Sequence, residues 1–274
     1  MVWYVDPAVL ARQLGAAHLG LFAAAVAVYM TGATLAAVRW RFIARSLGLI
    51  APPGAVVASF FRGSTLNMLL PGATLSGDLL RSYQLSALGN PMLRSALSVV
   101  LDRLSGLWML CVLSLVALLG SWAAGMLGAM GRDAFAVYVA LLAAAVAAPW
   151  IPVPFLRGLE EKRRQAMAAG GAFYGAAGLS IAVQVVYSLS LLLCTKSAGI
   201  ALSYPLVLAA AAPIFIMGAV PLGWAGFGTR ELSAVVVLGL LGVPADQATT
   251  CALLYGLAAV VQGVLAAPLF LLRK

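Results

Sequence analysis

The sequence predicts an all-α protein that crosses a membrane several times. The first observation is composition: of 274 residues, 64% are hydrophobic and 9% are charged, whereas a soluble domain is about one quarter charged. The mean hydropathy is +1.04. The second observation is length, because several apolar stretches reach the roughly 20 residues that a helix needs to cross a hydrocarbon core. The third is a pair of similar proline–glycine breaks, which indicates an internal repeat.

The first half of the chain is predicted to hold two spanning helices with a broken segment between them. In order, these are a span at 16–38, short apolar segments at 54–70 and 77–88, and a span at 92–119. The basic run after the first span, with Arg39, Arg41 and Arg45, is interpreted as a cytoplasmic loop. Pro71 and Gly72 separate the two short segments, so neither is long enough to cross the membrane alone.

The second half repeats this order after a connecting region. A lone span at 134–151 leads into a polar segment at 152–170, which is predicted to be a cytoplasmic linker. A span at 172–195, short apolar segments at 205–220 and 232–241, and a final span at 245–272 follow.

The two proline–glycine breaks correspond to each other along the chain. Pro71 and Pro221 each precede a glycine-rich loop, an acid–arginine pair and a short apolar helix. Each short helix then ends at a Gly-x-Pro motif, at 89–91 and at 242–244. We therefore predict two copies of one structural unit.

Each unit is predicted to be a re-entrant helical hairpin between two spanning helices. The first unit covers about 16–119 and the second about 171–272, within one transmembrane domain over 1–274. Because each unit crosses the membrane an even number of times, the lone span inverts the second unit relative to the first. Most arginines and lysines then lie on the side of the C-terminus, which predicts a cytoplasmic C-terminus in the inner membrane.

Seven charged side chains occupy apparent membrane depth. They are Arg62, Asp78, Arg81, Asp102, Arg103, Arg230 and Glu231. Facing lipid, each would cost about 2.5 to 3.5 kcal/mol, or on the order of 20 kcal/mol together, which exceeds a typical domain stability of about 5 to 15 kcal/mol. These groups are therefore predicted to pair with one another or to line a polar cavity, and the broken backbone obeys the same constraint.

Both constraints are met if the two breaks share one polar cavity near the midplane, as in transporters with paired interrupted segments. Helices that begin near Gly77 and Thr229 would direct N–H groups and positive dipole ends into it, which favours an anion such as phosphate. The predicted substrate-binding residues are Asn67, Gly72, Gly77, Arg81, Gly226, Gly228 and Arg230. The residues predicted to pair charges or to couple protons are Arg62, Asp78, Asp102, Arg103 and Glu231.

Structural interpretations stand beside these functional ones. The acid–arginine pairs are also explained as buried ties, Asn67 as a partner for backbone freed at the first break, and Arg62 as a side chain that reaches the cytoplasmic face. Asp102 and Arg103 point apart on a helix and need separate partners. Trp40 is interpreted as an aromatic anchor at the membrane interface.

Composition and motifs exclude several function classes. Basic residues that flank membrane helices account for the formal charge of +9, so nucleic acid is not an expected partner. The three cysteines lie in apolar runs and are expected to be small packed side chains. No metal-ligand cluster, nucleophile constellation or nucleotide-binding motif stands out, so we expect no metal, no cofactor and no enzyme activity. The N-terminus lacks the pattern of a cleavable signal peptide.

Four motifs carry a family resemblance. In order they are Ala37-Val38-Arg39-Trp40, NMLLPGATLSGDLLR at 67–81, LDRLSG at 101–106 and VPLGWAGFGTRE at 220–231. They resemble the lysylphosphatidylglycerol synthase transmembrane family, which includes flippase-like and hopanoid-associated membrane proteins. The resemblance implies movement of a lipid or glycolipid headgroup between leaflets, with the synthase activity of multidomain relatives belonging to a separate soluble domain. Relatives usually carry a further hydrophobic helix before the position of Met1. They often have an arginine after the tyrosine of the final span, whereas here Gly256 follows Tyr255.

The sequence favours a lipid flippase-like transporter. Its expected ligand is an anionic phospholipid, or a polyprenyl-linked lipid or glycolipid, whose headgroup phosphate would bind Arg81 and Arg230. Asp78, Asp102 and Glu231 would hold the arginines or carry a coupled proton, so that movement is downhill or ion-coupled. Two alternatives stay open: a membrane-embedded transferase that acts on lipid carriers, and a non-transporting partner of lipid-synthesis enzymes.

Overall fold

The computed structural model describes residues 7–69, 74–128, 130–148, 170–220 and 226–271. Within these ranges every regular element is a helix and no strand is present, which confirms the predicted all-α class. The α-helices are α1 (Pro7–Ala16), α2 (Leu19–Ser46), α3 (Pro53–Leu69), α4 (Thr74–Ser86), α5 (Met92–Ala123), α6 (Arg132–Ala147), α7 (Gly170–Ser197), α8 (Tyr204–Ala219), α9 (Thr229–Gly239) and α10 (Ala245–Ala266). A 3-10 helix, Ala267–Phe270, continues α10.

In the described part of the chain, four helical segments are long and apolar enough to cross a membrane. They are Leu19–Ser46, Met92–Ala123, Gly175–Ser197 and Ala245–Phe270. These segments correspond to four of the five predicted spans, and the chain is a multi-pass membrane protein. The fifth predicted span, 134–151, corresponds to α6, a helix of 16 residues, and its last residues, 149–151, lie outside the described ranges.

The short helices match the predicted short segments, but two predicted boundaries were wrong. Helix α4 begins at Thr74 rather than near Gly77. Helix α2 continues to Ser46 instead of ending at Val38, so the basic run is helix rather than loop. The physical reason is that Arg39 faces the protein interior, where it is 6% exposed, and its partners there hold the helix in place.

Glycine–proline turns separate the short helices from the long helices that follow them. Gly89 and Gly242 have φ angles of 92° and 81°, in the left-handed region that favours glycine after a helix end. Pro91 and Pro244 are the N-caps of α5 and α10. Each Gly-x-Pro motif therefore ends one helix and begins the next. The breaks at 70–73 and 221–225 and the linker up to 169 lie outside the described ranges.

Small side chains let the helices approach closely. Helices α2 and α7 form the central pair; α5 packs against α7 and α8, while α10 packs against α2 and α3. Helix α4 contacts α3 and α5, and α9 contacts α8 and α10. The largest core cluster contains the alanines at 209–212 together with Cys194 and Cys251. Small residues at such contacts are typical of packed membrane helices.

Side chains from α5 and α6 support the middle of α8. Pro213 lies inside this helix and has no N–H to donate to the carbonyl of Ala209. The hydroxyl of Tyr138 donates to that carbonyl instead. Nearby, the hydroxyl of Ser114 donates to the carbonyl of Leu208 at 2.8 Å. These contacts anchor the helix that leads into the second break.

Candidate functional site

In the first hairpin, α3 crosses α4 at two glycines. A Cβ atom on Gly77 would lie closer than 3.0 Å to the carbonyl oxygen of Gly63, so the crossing needs glycine. Asn67, one turn after Gly63, accepts a hydrogen bond from the N–H of Gly77 at 2.8 Å. The side chain of Asn67 therefore holds the hairpin, and an N–H group that we predicted to face a ligand is already bonded within the protein.

The second hairpin has the same construction. A Cβ atom on Gly226 would lie closer than 3.0 Å to the carbonyl oxygen of Gly218. In each hairpin an arginine four residues further along lies against the glycine of the facing helix. A Cβ on Gly63 would be 2.9 Å from the Cγ of Arg81, and one on Gly218 would be 2.9 Å from the Nε of Arg230. Both arginines predicted to bind substrate thus occupy equivalent places at the two crossings.

Arg81 points from α4 into the protein interior. Its Nη2 donates to the Oδ2 of Asp102 at 2.8 Å, and its side chain is 4% exposed. The guanidinium carbon lies 4.2 Å from the ring centroid of Trp40 and 4.7 Å from that of Phe60, so aromatic faces also stabilise the charge. Among the described residues, the Nε of Arg81 has no hydrogen-bond partner.

The carboxylate of Asp102 joins three helices, and Arg39 connects it to a fourth. Its Oδ1 accepts from the Nε of Arg39 at 2.9 Å, and Asp102 is only 2% exposed. The Nη1 of Arg39 also donates to the hydroxyl of Ser180 at 3.1 Å. The carboxylate therefore contacts α2 and α4 from α5, while Arg39 extends the contact to α7. A carboxylate at this depth is tolerated because both of its oxygens are paired with guanidinium groups.

The accessible end of this network is the pair of Asp78 and Arg103. The Nε and Nη2 of Arg103 each donate to a different oxygen of Asp78 at 3.0 Å. The side chains are 22% exposed for Asp78 and 41% exposed for Arg103. Three arginines and two aspartates are thus connected, and one positive charge is left in excess. We refer to Arg39, Asp78, Arg81, Asp102 and Arg103 as the arginine network.

Arg230 has aromatic surroundings in the second hairpin. Its guanidinium carbon lies 5.7 Å from the ring centroid of Phe227 and 5.9 Å from that of Tyr255. Its neighbour Glu231 is 1% exposed and accepts a hydrogen bond from the N–H of Gly228, which precedes α9. Glu231 therefore caps its own helix, and the N–H of Gly228 is bonded within the protein, as the N–H of Gly77 is.

Three tyrosines from α2, α7 and α10 pack together in the interior. The ring centroid of Tyr29 lies 5.0 Å from that of Tyr187 and 5.4 Å from that of Tyr255. The guanidinium carbon of Arg230 lies 5.9 Å from the ring centroid of Tyr255. The tyrosines therefore form one aromatic cluster beside Arg230.

Two further predicted site residues, Arg62 and Gly72, are not part of the arginine network. The Nε and Nη2 of Arg62 donate to the carbonyl of Leu269 at 2.9 and 2.7 Å, which ties α3 to the 3-10 helix after α10. Gly72 lies outside the described residues, so its predicted role stays a prediction.

Arg39 and Trp40 were not predicted to belong to the site. Trp40 was interpreted as an interfacial anchor, but it is 0% exposed and its Nε1 donates to the hydroxyl of Ser98 at 3.1 Å. The signal that pointed to this was helical spacing: Ala36, Trp40 and Ile43 lie on one face and all are buried. The three arginines within residues 39–45 led to the prediction of a loop instead of a buried helix face, because basic runs after a span usually mark a cytoplasmic loop.

Comparison with known proteins agrees with the resemblance seen in the motifs. Residues 1–267 match the family described as the lysylphosphatidylglycerol synthase TM region. The chain is also 32% identical over 126 residues to a protein named glycosyltransferase AglD from Haloferax volcanii, and the match covers 46% of this chain but only 20% of that relative. No solved structure matches. Because the family match covers nearly the whole chain, this membrane protein belongs to the lysylphosphatidylglycerol synthase transmembrane family.

Proposed function

We propose that this protein is a flippase-like transporter that moves an anionic lipid headgroup between the leaflets of the membrane. The observation that carries the proposal is the arginine network, with its excess positive charge. Asp102 lies inside α5, a helix that is long and apolar enough to cross a membrane. Charges kept inside such a helix are costly and generally serve function.

The donors in the network suit a phosphate group. A guanidinium offers several N–H groups in a fixed plane and binds phosphate oxygens in pairs. Arg81 has a buried Nε without a partner among the described residues, and Arg103 is accessible. The ligand class is therefore an anionic phospholipid or a phosphate-linked polyprenyl lipid or glycolipid.

The helix packing supports two inverted halves that rock about a shared site. Helices α2–α5 of the first half correspond in order to α7–α10 of the second half. The contact between α5 and α8 then corresponds to the contact between α10 and α3, and the contact between α5 and α7 corresponds to that between α10 and α2. The contacts within each half also correspond, with α4 on α3 and α5, and α9 on α8 and α10. In transporters built from inverted repeats, such halves expose a midplane site to each side in turn.

Glu231 is one of the acidic residues that would carry a coupled proton in this proposal. It is buried, one oxygen is bonded to the N–H of Gly228, and the Oε1 has no hydrogen-bond partner among the described residues. Either proton movement with the lipid or downhill lipid movement supplies the driving force in this proposal.

A second candidate is a transferase that acts on lipid carriers, which the name of the Haloferax volcanii relative favours. A general base must reach the proton that it removes. Both oxygens of Asp102 accept hydrogen bonds from guanidinium groups, which leaves this carboxylate poorly suited to that role. A protein that neither transports nor reacts, and instead binds lipid-synthesis enzymes, is the third candidate.

Transport is tested with purified protein in vesicles that carry a fluorescent phosphatidylglycerol in both leaflets. Dithionite added outside destroys about half of the signal in protein-free vesicles, and nearly all of it if the protein moves lipid. We expect the double variant Arg81→Gln/Arg230→Gln to slow this loss, while Arg132→Gln, on an exposed residue of α6, does not. A loss no greater than in protein-free vesicles contradicts the proposal.

The transferase alternative is separated by mass spectrometry of the same vesicles. A transporter leaves the labelled lipid chemically unchanged, whereas a transferase converts it when a carrier-linked donor is present. A converted lipid without movement between leaflets would replace the transport proposal by the second candidate.

A further inference from the structure

We infer that Arg103 is the residue that binds the phosphate of the anionic lipid, and that Asp78 occupies its guanidinium until the lipid displaces it. This inference rests on the proposed function for the identity of the ligand. It assigns a role to an ion pair that would otherwise count as a structural tie.

Exposure separates Arg103 from the other arginines of the network. The side chains of Arg39 and Arg81 are 7% and 4% exposed, and Asp102, which they share, is 2% exposed. The side chain of Arg103 is 41% exposed. A headgroup that enters the protein interior therefore meets Arg103 before it meets either buried arginine.

The geometry of the ion pair is that of an anion on a guanidinium edge. The Nε and Nη2 of Arg103 lie 3.0 Å from the Oδ2 and the Oδ1 of Asp78. Two phosphate oxygens bind such an edge in the same way, with two parallel N–H···O bonds. The carboxylate of Asp78 thus stands in the place that a lipid phosphate would take.

Asp78 is able to leave Arg103 without becoming an isolated buried charge. Its Oδ1 also lies 3.4 Å from the Nη1 of Arg81, and its side chain is 22% exposed, so water and Arg81 both remain as partners. Asp102 differs, because it is enclosed and held by two arginines at 2.9 and 2.8 Å. Displacement by a ligand is therefore expected at Asp78 and not at Asp102.

The surroundings of Arg103 favour a net negative headgroup. The network keeps one positive charge in excess. A zwitterionic headgroup would bring its own cation into this positive region. The ligand class is therefore a lipid phosphodiester without a compensating cation.

Equilibrium binding of short-chain dihexanoyl phosphatidylglycerol to the purified full chain in detergent tests this assignment. We expect Asp78→Asn to tighten binding about tenfold, because the internal competitor is gone, and Arg103→Gln to weaken it at least tenfold. Arg103→Lys, which keeps the charge but not the paired donors, should lie between the parent and Arg103→Gln. The matched control is Asp133→Asn, the same change on an exposed residue of α6, which should leave binding unchanged.

Two further probes identify the ligand. Dihexanoyl phosphatidylcholine should bind more weakly than the glycerol lipid, and inorganic phosphate should compete poorly, since it lacks the lipid body. Equal competition by inorganic phosphate overturns the lipid assignment. Unchanged or weaker binding in Asp78→Asn, in a variant that melts at the temperature of the parent, overturns the displacement.

The binding inference and the transport proposal can be overturned independently of each other. Lipid movement that proceeds normally while both variants bind like the parent overturns only this inference. Binding that changes as expected in a protein that moves no lipid overturns only the transport proposal.

Discussion

The guanidinium of Arg39 donates to the carboxylate of Asp102 at 2.9 Å, although 63 positions separate the two residues in the chain. This contact joins the end of α2 to the first half of α5, and both residues are more than nine-tenths buried. Because Arg81 binds the second oxygen, Asp102 neutralises part of the charge of two buried cations. This ion pair therefore lies at the centre of the arginine network.

Replacing Asp102 by asparagine should destabilise the protein strongly. The change leaves Arg39 and Arg81 buried without their carboxylate, and breaking a buried ion pair typically costs about 3 to 5 kcal/mol. The free energy of unfolding, measured by titration from mild detergent into sodium dodecyl sulfate, checks this. Asp133→Asn is the control for the charge change, and equal stability of Asp102→Asn and the parent would show that the carboxylate is not needed as a counter-ion.

The glycine crossings should not tolerate alanine. A Cβ at Gly77 or Gly226 would lie closer than 3.0 Å to a backbone carbonyl, and overpacking of this kind costs about 1 to 3 kcal/mol. Gly226 also has a φ of 76°, so its substitution adds backbone strain. Gly120→Ala in α5, where the new Cβ meets nothing within 4 Å, should be neutral or stabilising, and thermal melting of the three variants tests the contrast.

Asn67 should matter through its side-chain oxygen. Its Oδ1 accepts from the N–H of Gly77, and Asn67→Leu removes that acceptor while filling a similar volume. A buried donor left without a partner costs about 1 to 3 kcal/mol. Ser64→Ala, which removes a hydroxyl bonded only within α3 to the carbonyl of Phe60, is the matched control. If both variants melt together, the hairpin does not depend on Asn67.

Tyr138 and Pro213 should be thermodynamically coupled. Tyr138→Phe removes the donor to the carbonyl of Ala209, with an expected cost of about 1 to 3 kcal/mol. Pro213→Ala supplies the missing N–H, so the second change should recover stability in the Tyr138→Phe background. A double-mutant cycle measures the coupling, with Tyr83→Phe, at a residue that is 66% exposed, as the control. Strictly additive effects would contradict this account.

The side of the membrane on which the chain ends is tested with reporter fusions. The distribution of basic residues predicts that a fluorescent protein fused after Lys274 folds in the cytoplasm, whereas alkaline phosphatase fused there stays inactive. The opposite result with both reporters would overturn the predicted orientation.

Local features of the sequence were enough to predict most of the helices, although α1 was not predicted and α2 extends past its predicted end. Apolar length predicted the four spans, and the Gly-x-Pro motifs at 89–91 and 242–244 predicted the starts of α5 and α10, because glycine and proline limit the backbone directly. Asp102 and Arg103 were expected to need separate partners, and the structure gives each a separate one. These predictions depend only on neighbours within a few residues.

Long-range partners were not predictable in the same way. Helical spacing marks the buried face of α2, but only the packing of α2 against α5 and α7 places Arg39 beside Asp102 and Ser180. Asn67 was expected as a partner for backbone near the first break, and its bond to the N–H of Gly77 agrees with that interpretation.

The sequence by itself determined that the chain is helical, membrane-embedded and charged at depth, because the cost of exposing polar groups to lipid acts on every residue regardless of the fold. Only the tertiary structure decided which arginine meets which aspartate and which pair stays accessible. The reason is that an ion pair depends on distances of a few ångströms between side chains on different helices, and those distances are set by how the helices pack.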